Sequence, residues 1–309
     1  MAKIVTLMLN PSVDVMLEFE SFTKTKTNRV KNKIELMGGK GLNVSLVARS
    51  FGLDVCATGF IGKDRAEELS QVLKASGIEN AFVEVDGETR INYKFADLSD
   101  GTLTEANARG FSVSEAEFSK LEKVLEKVLD DAEILVLTGS LPQGVSVDFY
   151  AECIEKANAK GIKTVLDASG EALKVAIEKK PYAIKPNIDE LSEFFGKNLT
   201  DKQEISDVLK ELNQKGINLV VASMGAEGAM FSQNEKVLCG KTFDIEFMSA
   251  VGAGDSMVGA MCYAISQNLP LERLARLSIA AGCITTSKSA TNLCTAPEVF
   301  TNEERVEIL

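Results

Sequence analysis

From about residue 130 onward, short β-branched apolar runs alternate with segments whose apolar residues recur at helical spacing. Strands are predicted at Ile134 to Leu137, Thr164 to Leu166, Tyr182 to Ile184 and Leu219 to Ala222. Helices are predicted at Ser146 to Lys160, Glu171 to Lys179, Ile188 to Phe195 and Lys202 to Lys215. Such alternation implies a parallel sheet covered by helices. Ile134-Leu135-Val136-Leu137 and Leu219-Val220-Val221-Ala222 are apolar throughout, as strands buried on both faces are. An apolar run within residues 1–10 reads as a first strand rather than a leader peptide. Residues 13–36 and 81–110 break this rhythm. They alternate apolar and polar, with Asp86-Gly87 and Asp100-Gly101 as turns, and are expected to form antiparallel strands outside the main sheet. They read equally as a small lid over a site or as an ordinary edge hairpin. With no repeat or linker in view, the expectation is one α/β domain over residues 1–309, with β segments at about 13–36 and 81–110.

Composition narrows the chemistry. The chain of 309 residues is 45% apolar and carries 34 basic against 45 acidic residues, a net charge of −11. That excludes a broad cationic surface for nucleic acid or anionic membrane, so an anionic ligand needs a local basic site. There is no histidine, which removes Ser-His-Asp and Cys-His machinery and His-ligated zinc. A general base here must be a carboxylate, Lys, Tyr or Cys. The six cysteines, Cys56, Cys153, Cys239, Cys262, Cys283 and Cys294, lack C-x-x-C spacing and read as reduced buried thiols of a cytoplasmic protein. No run approaches the roughly 20 apolar residues of a membrane span.

Four loops at predicted strand ends carry candidate chemistry. Val251-Gly252-Ala253-Gly254-Asp255 precedes a helix with Met257, Val258, Met261, Ala264 and Ile265 at helical spacing. Glycines at a helix N-terminus let backbone N–H groups approach an anion. A carboxylate there reads either as a helix cap or as a base that takes the proton of an attacking hydroxyl. Met37-Gly38-Gly39-Lys40-Gly41-Leu42-Asn43 offers Lys40 to a phosphate and Asn43 to a hydroxyl, or is a tight turn with a solvated Lys. It lacks P-loop spacing. Lys185-Pro186-Asn187-x-x-Glu190 presents hard oxygen donors suited to Mg²⁺ through water, or a capping box. Ser223-Met224-Gly225-Ala226-Glu227-Gly228 is a glycine loop for a nucleotide or a plain hairpin turn. Together the four describe two anion-binding ends, a metal corner and one base, the parts needed to move a phosphoryl group from a nucleotide to an alcohol. A dinucleotide fold is excluded, since no G-x-G-x-x-G follows the first strand.

The chain resembles the phosphofructokinase-B family of ribokinase-like sugar kinases. Gly38-Gly39-Lys40-Gly41-Leu42-Asn43-Val44-Ser45, with Gly52 and Gly62, is similar to the family's first signature, and Ser249 to Gly259 to its second. Asn10-Pro11-Ser12-Val13-Asp14, Ser140-Leu141-Pro142-x-Gly144, Lys185-Pro186-Asn187 and Ser223-x-Gly225-x-x-Gly228 follow in order. Ala250 departs from the hydroxyl or other small residue usual there. The resemblance implies a ribokinase-like three-layer sandwich with a central, mostly parallel sheet and a β lid, using ATP and Mg²⁺. It implies Asp255 as base, with the Gly252, Ala253, Gly254 and Asp255 backbone around the transferring group. Asp14, Gly38, Gly39, Asn43 and Ser140 are then placed on the sugar and Arg29, Lys40 and Arg90 on its phosphate. Lys185, Asn187, Ser223, Gly225, Gly228 and Ser249 fall to the nucleotide, and Asn187 and Glu190 to the metal. Arg29 and Arg90 also read as solvated strand charge. Thr89-Arg90-Ile91-Asn92-x-Lys94 is most similar to the branch acting on fructose 1-phosphate, with tagatose 6-phosphate, fructose 6-phosphate or a non-catalytic sensor role as alternatives. Pairing of two copies through the lids is also expected.

Overall fold

The computed structural model describes residues 2–289 and 292–309; Met1, at the edge of the first predicted strand, lies outside them. Apolar alternation within the strands builds two cores. In β1 (Lys3–Met8), Ile4 and Met8 enter one core while Val5 and Leu7 enter the other. In β8 (Ile134–Thr138), Ile134 and Val136 face the first core, Leu135 and Leu137 the second. Successive side chains point to opposite faces of a strand, so a sheet covered on both sides needs apolar residues at every position.

The main sheet also contains β4 (Asp54–Gly62), β5 (Glu79–Val85), β9 (Lys163–Asp167), β10 (Ala183–Ile184), β11 (Leu219–Ser223), β12 (Ala229–Gln233), β13 (Lys236–Lys241) and β14 (Glu307–Ile308). Its order is β14-β13-β12-β11-β10-β9-β8-β1-β4-β5. The strands from β5 to β11 pair in parallel, and β12 to β14 extend the edge antiparallel. One face is covered by α1 (Lys40–Ser50), α2 (Ala66–Ala75), α8 (Ala253–Ser266), α9 (Leu271–Thr286) and α10 (Ala296–Asn302). The other is covered by α3 (Glu115–Val128), α4 (Phe149–Ala159), α5 (Gly170–Ile177), α6 (Ile188–Phe195) and α7 (Lys202–Gln214). The result is the expected three-layer arrangement.

The second sheet has the order β3-β2-β6-β7, formed by β2 (Ser12–Phe19), β3 (Asn32–Gly38), β6 (Arg90–Asp97) and β7 (Thr102–Asn107). Two expectations are corrected. Residues 81–85 belong to β5 at the edge of the main sheet, because they pair in parallel with the neighbouring strand β4. The lid is also not wholly antiparallel: β2 and β6 pair in parallel, each hairpin supplying one inner strand. Among the described residues, no helix is long and apolar enough to cross a membrane.

Candidate active site

The carboxyl ends of β1, β8, β9, β10 and β11 open toward the lid, where parallel α/β sheets place their ligands. At their centre stands Asp167, the last residue of β9 and only 2% exposed. Its Oδ1 lies 3.1 Å from Lys185 Nζ and its Oδ2 3.1 Å from Lys40 Nζ, and Thr138 Oγ1 donates to Oδ2 at 3.3 Å. Burial alone would raise this carboxyl, but Lys185 and Lys40 overcome it and hold Asp167 down at about 2. Asp167 in turn raises Lys40 above the ordinary lysine value. Lys185 is buried, whereas Lys40, the first residue of α1, has a half-exposed side chain. Asp167 was missed in the sequence reading; its signal was an acid directly after the strand predicted at Thr164 to Leu166.

Asp255 lies in the first turn of α8 and is 7% exposed. Asn43 Nδ2 donates to its Oδ2 at 2.8 Å across α1 and α8. Burial, the largest influence, pushes the carboxyl up to about 6; Lys40 opposes this, Asp167 adds to it, and Asn43 and Lys185 oppose it. This carboxyl is therefore tuned by its surroundings rather than standing at the ordinary aspartate value. The helix starts from Gly252, whose φ of +77° is a left-handed conformation that glycine adopts without strain. The amide cradle is smaller than expected, because Ala253 N–H closes a turn onto Ala250 O at 3.3 Å. Among the described residues, the N–H groups of Gly254 and Asp255 make no hydrogen bond. Lys185 Nζ lies 3.3 Å from where a Cβ on Gly254 would sit, so a buried cation flanks those amides. Ser249 serves the loop instead: its hydroxyl accepts from Val251 N–H, and it does not line the adjoining cavity.

On the lid side, Asp14 accepts from Ser12 Oγ at 2.9 Å, Asn92 Nδ2 at 3.2 Å and Lys94 Nζ at 2.8 Å. A Cβ on Gly38 would come 2.9 Å from Asp14 Cγ, so any side chain there would press the Asp14 carboxylate out of place. Asp14, Gly38, Asn43 and Lys94 line one cavity of about 190 Å³ with apolar lid and helix residues. Gly39 caps α1, and its carbonyl accepts from Asn43 N. A second cavity, also about 190 Å³, is lined by Asn10, Lys40, Arg90, Ser140, Asp167 and Ser169 among others. Arg90 spends three N–H groups on the carbonyls of Pro11, Ala108 and Asn10, and burial lowers its hold on its proton. It both faces the cavity and ties the lid to the β1 end. Asn10 Nδ2 joins Arg109 O to Ser140 Oγ, a tether not singled out from sequence. Arg29 stands exposed in the β2–β3 connection and lines neither cavity.

On the far side of α8 lies a larger, mostly apolar cavity of about 520 Å³. Its lining includes Asn187, Ser223, Gly225 and Gly228 from the strand ends, and Ala250, Ala253 and Gly254 from the α8 loop. The 225–228 loop is also the hairpin between β11 and β12. Asn187 Oδ1 accepts from Glu190 N at 2.8 Å, and Glu190 Oε2 accepts from Asn187 N at 2.9 Å. The pair is thus a capping box that starts α6 at the cavity rim. Among the described residues, no three acidic or cysteine groups cluster into a metal cage.

The chain is 37% identical to 1-phosphofructokinase of Bacillus subtilis over 282 residues, covering 91% of this chain and 92% of that protein. It is 33% identical to tagatose-6-phosphate kinase of Staphylococcus epidermidis, covering 99% and 100% of the two chains. The crystal structure of Escherichia coli phosphofructokinase-2 in complex with substrates and products superposes with a TM-score of 0.93 at 30% identity, covering 98% of this chain and 99% of that one. The α/β architecture is the ribokinase-like fold expected from the sequence. Residues 8–298 match the pfkB family carbohydrate kinases, and this chain is a kinase belonging to that family.

Proposed function

We propose that this kinase transfers the γ-phosphoryl group of ATP to the C6 hydroxyl of fructose 1-phosphate, with Asp255 as the base. The observation that carries this reading is the buried carboxylate of Asp255, held by Asn43, which lines one lid-side cavity, and directly following Gly254, which lines the large nucleotide-sized one. Asp14, Asn43 and Gly38 hold the sugar, while Lys40, Arg90 and Ser140 offer donors to its phosphate. Asp255 Oδ1 takes the C6 proton as that oxygen forms its bond to phosphorus. The bond from phosphorus to the β–γ bridging oxygen breaks, and its electron pair leaves on ADP. The Gly254 and Asp255 N–H groups and Lys185 meet the charge that builds on the transferring group. A positioned base of this kind contributes about 10²–10⁴-fold.

Mg²⁺ fits as an ion carried on the nucleotide, because it keeps several waters and binds through few carboxylates plus substrate phosphates. Asn187, which lines the large cavity, and its capping partner Glu190 would hold its waters, and the ion would supply charge neutralisation. The identity to tagatose-6-phosphate kinase favours a second reading, tagatose 6-phosphate as acceptor. Turnover of fructose 1-phosphate, tagatose 6-phosphate and fructose 6-phosphate decides between them. The first reading expects the highest kcat/KM for fructose 1-phosphate, and a preference for either other sugar overturns it. The lid leaves Leu36, Tyr93, Leu98 and Leu103 exposed, which supports pairing of two copies through their lids. A monomer by light scattering at micromolar concentration would refute that pairing.

A further inference from the structure

Lys94 has no role in the chemistry above, yet its surroundings are those of a ligand-binding group. It sits on β6, opposite Met16 of β2, which in turn faces Ile34 of β3. Register partners share a face, so the ammonium rises from an apolar row. Its cross-strand neighbour on β7 is Glu105, but Nζ turns instead to Asp14 Oδ2 at 2.8 Å. Lys94 is 6% exposed and lines the 190 Å³ cavity that holds Asp14, Gly38 and Asn43. An ammonium has three N–H donors, and among the described residues Asp14 is its one acceptor. Buried donors are almost always satisfied. The neighbouring Asn92 also keeps a buried Oδ1 without a partner beside the same carboxylate.

We propose that Lys94 is a specificity-determining residue, its spare donors holding a ring hydroxyl oxygen of the sugar phosphate while Asp14 accepts from a hydroxyl. The inference rests on the kinase reading above and adds to it which group reads the sugar. Charge decides the ligand class. Asp14 neutralises Lys94, so the pair suits an uncharged hydroxyl, whereas the sugar's phosphate suits the other cavity, with Lys40, Arg90 and Ser140. A charged donor beside a carboxylate acceptor also discriminates, because a sugar lacking the matching hydroxyl leaves buried polar groups unpaired.

The test uses the full chain, with Lys94→Met and with Lys94→Gln, which keeps one N–H for Asp14 and guards against loss of the lid. Steady-state constants are measured with the preferred sugar phosphate and with its 3-deoxy and 4-deoxy analogues. Wild-type turnover of the parent sugar is measured first, and its absence would count against the kinase reading rather than against Lys94. Both variants are expected to raise the sugar KM about 10- to 100-fold, the range for a hydrogen bond to a charged group, with the ATP KM within about 2-fold of wild type. For the analogue lacking the hydroxyl that Lys94 holds, the ratio of wild-type to variant kcat/KM falls toward 1. The same ratio for the parent and both analogues would show a structural role alone and overturn the proposal, as would an unchanged sugar KM.

Discussion

Replacing Asp255 with Asn should remove activity and add stability. Asn keeps an oxygen to accept from Asn43, so the local geometry survives, but it cannot take the proton that the proposed mechanism gives to Asp255. Turnover should fall by about 10²–10⁴-fold or more. The stability gain follows from burial. The carboxyl is held at about 6, against an ordinary 3.8. Each pH unit is worth about 1.4 kcal/mol, so the ionised group costs the folded state about 3 kcal/mol at neutral pH. The sign follows from proton uptake: between pH 3.8 and 6 the folded chain binds more protons than the unfolded one, so the cost grows as pH rises and is complete above about 6. Near pH 4 it shrinks below about 1 kcal/mol. At about 2 °C per kcal/mol for a large domain, the variant should melt about 6 °C above wild type at pH 7.5 and nearly with it at pH 4. Calorimetry at the two pH values, with ADP release on the same samples, is the assay. Normal turnover would dismiss Asp255 as the base. A melting difference that is absent, or the same at both pH values, would refute the claim that burial of a charged carboxylate is what the site sustains.

Three further outcomes are expected. The kcat/KM for the sugar phosphate should fall on the acid side with a midpoint near pH 6, and Lys40→Met should move that midpoint upward, because Lys40 is the strongest group favouring the ionised form; a pH–rate series checks both. Asp167→Asn should cost about 3–5 kcal/mol in urea unfolding by leaving Lys185 buried without a carboxylate. Asp167 is held at about 2, so its stabilisation in the wild type is intact above about pH 4 and lost as pH falls toward 2. Gly38→Ala should raise the sugar KM and leave the ATP KM unchanged, because the new Cβ presses on Asp14; steady-state kinetics with each substrate varied reads the difference.

Much of the fold was legible because its signals are local. A strand buried on both faces must be apolar throughout, and Ile134 to Leu137 and Leu219 to Ala222 could be little else. Helical spacing after Gly254 and Gly41 placed both glycine loops at helix starts, and α6 was predicted at its observed limits. The edge of the lid was not legible. Residues 81–85 alternate like lid strands, and their place in the main sheet depends on β4 lying beside them. The capping box at Asn187 and Glu190 was open as an alternative, since the same two side chains suit a water-bound metal or two backbone amides.

By itself, the sequence determined the class of molecule: an α/β sheet, no histidine chemistry, and glycine loops flanking a carboxylate. These follow from residue type and short spacing. Tertiary structure decided which charges meet. Asp167 lies 127 residues from Lys40 and 18 from Lys185, and Asn43 lies 212 residues from Asp255. Such pairs form only when the strand order brings their carboxyl ends together. The tuning of Asp255 and the confinement of Lys94 beside Asp14 arise the same way, because burial belongs to the packed chain and not to any stretch of it.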